Sequence, residues 1–67
     1  MKIILNGREE EFEGETISVS EMLVLKKFSF RMRIVKVNGR LISRDDYGSS
    51  VINDGDTVQM FYLMSGG

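Results

Sequence analysis

The stretch Ile17-Ser18-Val19-Ser20-Glu21-Met22-Leu23 decides how the rest of the sequence is read. Ser18 is a helix N-cap residue, and Glu21 stands at the third helical position behind it, the spacing of a capping box. Ile17 before the cap and Met22 after it occupy the two positions of a hydrophobic staple. Val19, Met22 and Leu23 then form an i, i+3, i+4 apolar stripe. The pattern predicts a helix from Val19 to about Lys27 with that stripe facing a core. Lys26 is polar where the stripe should continue, and Leu25 is apolar beside it. Either the buried face rotates there, or Val24 or Leu25 is exposed. Lys26 and Lys27 would complement the helix dipole in the last turn.

Working outward, both flanks read as β-hairpins. Upstream, Lys2 to Asn6 is apolar and β-branched, with Ile3 and Leu5 on one face and Ile4 on the other. Asn6-Gly7 follows, and Asn-Gly between strand-like runs signals a type I′ turn, because that turn needs positive φ at both central residues. The run Arg8 to Glu13 returns, with Phe12 as its inward anchor. Glu9 to Glu11 mark a solvated edge whose charge blocks unwanted pairing. Gly14 breaks the strand. Downstream, Phe28 and Phe30 are expected to dock the connection on the core. Ile34 to Val37 is a strand, Asn38-Gly39 a second hairpin turn, and Arg40-Leu41-Ile42 the return. Arg44-Asp45-Asp46-Tyr47 reads as one tight helical turn with Tyr47 folding back. Asn53-Asp54-Gly55-Asp56 is turn-forming at every position. In the last strand, Thr57 to Leu63, Val58 and Met60 alternate against Gln59 and Phe61.

The predicted order is ββαββ, followed by a turn and the last strand. One helix can cover one face of one sheet, and a helical crossover permits parallel pairing that a tight turn does not. The expected architecture is therefore an α+β fold, a mixed sheet curled around one main helix. Its predicted core is Ile3, Leu5, Val19, Met22, Leu23, Val35, Val37, Val58 and Met60. Residues 1–63 form the domain and residues 64–67 a flexible tail.

Composition limits what such a domain can do. At 67 residues it is one domain, and with 42% hydrophobic residues it can build one small core. A chain near this length hides only about 60% of its unfolded surface. There is no Cys and no His, so soft and imidazole metal ligands are missing, as is the usual general base near neutral pH. A catalyst would need a pocket that so small a domain hardly forms, so a substrate or carrier is expected rather than an enzyme, with no cofactor of its own. The net charge of −1 argues against nucleic acid as a partner. No apolar run approaches the roughly 20 residues of a membrane helix. Met1 to Asn6 reaches Asn6-Gly7 too soon for a signal peptide, and a cytoplasmic protein is expected.

The tail is the remaining signal. The last strand leads through Leu63-Met64-Ser65 to Gly66-Gly67. Glycine lacks a Cβ and lies close against another backbone without obstruction. Gly66-Gly67 reads either as a slim arm tipped by a reactive carboxylate or as an ordinary frayed end. Phe61, Leu63 and Met64 read either as a partner surface beside the arm or, for Phe61 above all, as sheet packing. Met suits a surface that meets several partners.

At this point the sequence resembles a known family. Met1-Lys2-Ile3-Ile4-Leu5-Asn6-Gly7, Ile17 to Leu23, Val37-Asn38-Gly39-Arg40 with Arg44-Asp45-Asp46-Tyr47, and Asn53 to Val58 match, in order and spacing, the ThiS family of sulfur carriers. That family belongs to the ubiquitin-like β-grasp proteins. The tail departs in having Met64-Ser65 before its glycines, where the family often has a third glycine. The helix carries Lys26 and Lys27 where Leu and Gly are common. The resemblance implies that Gly67 is the covalent attachment point. An E1- or ThiF-like adenylyltransferase would adenylate it with ATP and Mg²⁺. A sulfur donor enzyme would convert it to a thiocarboxylate, and a ThiG-like thiazole synthase would accept the sulfur in thiamin synthesis. Ser65 and Gly66 would thread the partner's channel, and Phe61, Leu63 and Met64 would meet its surface. The alternatives are a MoaD-like molybdopterin sulfur carrier, a ubiquitin-like modifier joined to lysines, and a binding module whose glycines are incidental.

Overall fold

A computed structural model describes residues 1–28 and 32–63. Phe30, expected to dock on the core, and Met64 to Gly67 lie outside the described residues. The chain runs β1 (Lys2–Leu5), β2 (Arg8–Glu11), β3 (Thr16–Ser18), α1 (Val19–Leu25), β4 (Arg33–Val37), β5 (Arg40–Ile42), a 3₁₀ turn (Arg44–Asp46), β6 (Val51–Asn53) and β7 (Thr57–Tyr62).

Five strands form one sheet in the order β2-β1-β7-β4-β5. β7 lies at its centre, parallel to β1 and antiparallel to β4. The outer pairs β1–β2 and β4–β5 are the two predicted hairpins. Asn6 and Asn38 each have φ near +52°, and Gly7 and Gly39 each have φ near +82°. Positive φ at both central residues is what a type I′ turn demands. The architecture is the ubiquitin-like β-grasp, a mixed sheet wrapped on one helix. It adds to the expected ββαββ order a small second sheet in which β3 pairs antiparallel with β6.

The sheet's inner face and the apolar stripe of α1 make the core. Ile3, Leu5, Val19, Met22, Leu23, Val35, Val58 and Met60 are buried as expected. Val37 is only half-buried and packs against the cluster from its rim. Phe12, Ile17, Ile42, Tyr47 and Ile52 complete the core. Tyr47 folds back from the 3₁₀ turn, and its carbonyl accepts the Ser20 N–H at 3.0 Å.

Helix α1 begins as predicted and ends early. Ser18 Oγ accepts the Glu21 N–H at 3.1 Å. The returning arm differs from a full capping box, because the Glu21 carboxylate accepts from the Ser18 hydroxyl rather than from its backbone. The last helical residue is Leu25, not Lys27, so no basic side chain lies in the last turn. Lys26 instead turns to the sheet and pairs with Glu10. Glu10 is therefore half-buried under the helix, and only Glu9 and Glu11 form the solvated edge. Lys27 has φ +60°. Its N–H donates to Val24 O at 3.1 Å, and the Phe28 N–H donates to Leu23 O at 2.8 Å. This is a Schellman motif with lysine at the left-handed position that glycine usually fills.

Candidate functional site

The base of the tail is built by β7. Up to Val58 this strand has β1 on one side and β4 on the other. Beyond Val58 the Asn6 side chain takes over from β1. Its Nδ2 donates to Met60 O at 3.1 Å, and its Oδ1 accepts the Met60 N–H at 2.8 Å. Asn38 does the same on the other flank, accepting the Thr57 N–H at 2.9 Å through Oδ1. The two hairpin asparagines thus brace the central strand from opposite sides. The pairing with β4 continues to Arg33 opposite Tyr62. One bond further on, the Leu63 N–H donates to Met32 O at 2.7 Å.

Residues opposite each other in antiparallel strands share a face. The register puts Phe61 with Ile34 on the outer face of the sheet, and Gln59 with Lys36 and Leu41 beside them. Phe61 is 51% exposed and Leu63 is 43% exposed. Sheet packing on the inner face is therefore excluded for Phe61, and the residue is open to a partner. Tyr62 points to the opposite face, where its ring meets Phe28 edge-on, with centroids 6.5 Å apart. Sequence reasoning missed Tyr62, Ile34 and Leu41. Period-2 alternation across the Asn38-Gly39 hairpin would have put Ile34, Leu41 and Phe61 on one face. Of the predicted site residues, Phe61 and Leu63 lie together at this strand end. Met64, Ser65, Gly66 and Gly67 are outside the described residues.

The rest of the surface offers little chemistry. Among the described residues no group of three or more acidic side chains is placed to hold a metal. A cleft of about 690 Å³ lies between the β4–β5 hairpin and the small sheet. Its side chains include Asn38 and Asp56, which already bond to each other at 3.1 Å. Asp56 also accepts the Asn53 N–H at 2.8 Å, locking the turn before β7. Among the described residues no helix is long and apolar enough to cross a membrane.

The described part of β7 thus ends beyond β1 but still paired with β4, with Phe61 and Ile34 on the outer face and the Phe28–Tyr62 ring pair on the inner one, in a β-grasp domain. The chain belongs to the ThiS family, whose model matches residues 3–67. The crystal structure of the thiamine biosynthesis protein ThiS from Geobacter metallireducens is similar to it at 30% identity, with both chains fully covered and a TM-score of 0.89. A solution NMR structure of a thiamine biosynthesis protein from the same organism is similar at 30% identity and a TM-score of 0.79, covering 100% of this chain and 88% of the other. No curated protein matches the chain.

Proposed function

We propose that this protein is a sulfur carrier of thiamine biosynthesis and that the Gly67 carboxylate is its working group. The observation that carries the reading is the family match through Gly67 on a chain in which no described residue after Met60 is buried. A core that ends at Met60 among the described residues supports a role for the tail outside the fold.

A carboxylate is a poor electrophile because its charge is delocalised. A ThiF- or E1-like partner holding ATP and Mg²⁺ activates it. The Gly67 carboxylate attacks the α-phosphorus, pyrophosphate leaves, and an acyl-adenylate remains. A persulfide on a sulfur donor protein displaces AMP and forms an acyl disulfide. A partner thiol then takes the donor sulfur into a protein disulfide and releases the Gly67 thiocarboxylate. That group is a tethered sulfur nucleophile for a ThiG-like thiazole synthase. This chain's own part is to bind and to position. Phe61 and Leu63 supply outer-face contacts, with Met64 following them. Gly66 and Ser65 keep the thread narrow. The domain itself performs no bond-making step.

Intact-protein mass tests this reading. After incubation with the cognate adenylating enzyme, ATP, Mg²⁺ and a sulfur donor, one oxygen of the native chain is replaced by sulfur. A chain lacking Gly67 keeps its mass and its denaturation midpoint. Equal modification of the truncated chain would put the chemistry elsewhere. Attachment of Gly67 to a lysine of another protein would make the chain a modifier instead.

A further inference from the structure

A second apolar surface lies on the opposite side of the tail's base from Phe61. A groove of about 570 Å³ runs between the C-terminal end of α1 and the start of β4, walled by Leu23, Val24, Lys27, Phe28, Arg33 and Tyr47. Its walls are mainly apolar, and among the described residues its charged side chains, Lys27 and Arg33, are both cationic. The Arg33 guanidinium lies over the Tyr47 ring, 5.4 Å from its centroid. On the rim Val24 is 75% exposed, and Leu25, next in the helix, is 62% exposed. A cationic apolar groove on a chain of net charge −1 is a local reversal of sign.

Two further observations link this groove to the tail. Phe28 forms one wall and its ring meets Tyr62, one residue before Leu63. Phe28 therefore connects the groove to the base of the tail on the inner side, while Phe61 and Leu63 lie on the outer side. The second observation is the backbone of Lys27. Its φ of +60° is strained for any residue with a Cβ. Glycine would close the same Schellman motif without that strain. Strain held at a surface position points to a use for the side chain.

We infer that the groove between α1 and β4 is a docking site for a segment of the activating enzyme that carries a large apolar side chain beside one or more carboxylates. The apolar side chain enters against Leu23, Val24 and Phe28, and the carboxylates meet Lys27 and Arg33. Charge complementarity of this kind steers encounter and fixes register. The enzyme then grips the end of β7 from both faces while the tail carboxylate is adenylated. The inference rests on the carrier reading above.

The test is pyrophosphate release by the cognate adenylating enzyme, measured against the concentration of this chain. Val24→Asp and Lys27→Glu each raise KM about tenfold with little change in kcat, because they weaken docking and leave the reacting carboxylate alone. Lys27→Glu also flattens the salt dependence of KM. Lys27→Gly separates the groove from the fold: it raises the denaturation midpoint by relieving strain and still raises KM. A residue with only a structural role would move stability and KM in step. Wild-type KM in both Val24→Asp and Lys27→Glu overturns the groove proposal while leaving the carrier reading intact. So does a Lys27→Glu chain that loads normally and instead changes its self-association, which would make the occupant a second copy. A wild-type chain that releases no pyrophosphate overturns both.

Discussion

At the scale of single residues, the asparagines of the two hairpins do more than turn the chain. Asn-Gly was legible as a type I′ signal because it follows from backbone sterics alone. The second role was not legible, because Asn6 reaches Met60, which is 54 positions away in the chain. Asn6→Gly keeps the turn and deletes both side-chain bonds. It should cost about 1–2 kcal/mol in urea denaturation, where an isolated hairpin turn would tolerate the change. Ser18 was legible for the opposite reason, since its partner is three residues away. Ser18→Ala should lose about 1 kcal/mol and Ser18→Gly only a few tenths, by the same measurement. At Lys27 the strain relieved by glycine outweighs the backbone entropy that glycine adds. Lys27→Gly should therefore gain about 0.5 kcal/mol in thermal or urea unfolding.

At the scale of elements, the small sheet is what the sequence concealed. Thr16-Ile17-Ser18 reads as the approach to a helix, and it is that, with Ile17 buried at the staple position. It is also strand β3, and one run of residues does not advertise two roles. Its partner Val51-Ile52-Asn53 is too short for a period and sits between turn-forming residues. Ile52 is nevertheless fully buried. Ile52→Ala should cost about 2–5 kcal/mol, as much as Leu23→Ala in the helix stripe. A urea midpoint that moves only for Leu23→Ala would make the small sheet an ornament rather than part of the core. The early end of α1 has a similar cause. Lys26 and Lys27 look like helix-end cations by local rule, but Lys26 is claimed by Glu10 from the sheet. That is a tertiary contact overriding a local preference.

At the scale of the whole molecule, the buried core of the described residues ends at Met60, and Phe61 to Leu63 are exposed. Of the candidate site, the alternation that exposes Phe61 was legible. The aromatic pair of Phe28 and Tyr62 was not, because it needs the β4–β7 register to bring the elements together. Phe61→Ser removes an exposed cross-strand neighbour of Ile34, so it should cost less than about 1 kcal/mol of stability. Loading of sulfur by the activating enzyme should fall much more, read as the fraction of chain that gains mass in a fixed time. If stability and loading fall together, Phe61 serves the fold and not the partner.

The position of β7 has a consequence for how the molecule is made. Among the described residues it is the last strand in chain order, and it is the middle strand of the sheet. Until it leaves the ribosome, no strand joins β1–β2 and β4–β5 into one sheet, and each hairpin keeps an open edge. Closing contacts between Leu5 and Val58 span most of the chain, and such non-local closure is slow. A nascent chain broken off before β7 therefore stays unfolded and open to proteolysis. Only a chain synthesised through β7 can fold, and that same strand leads directly into the tail.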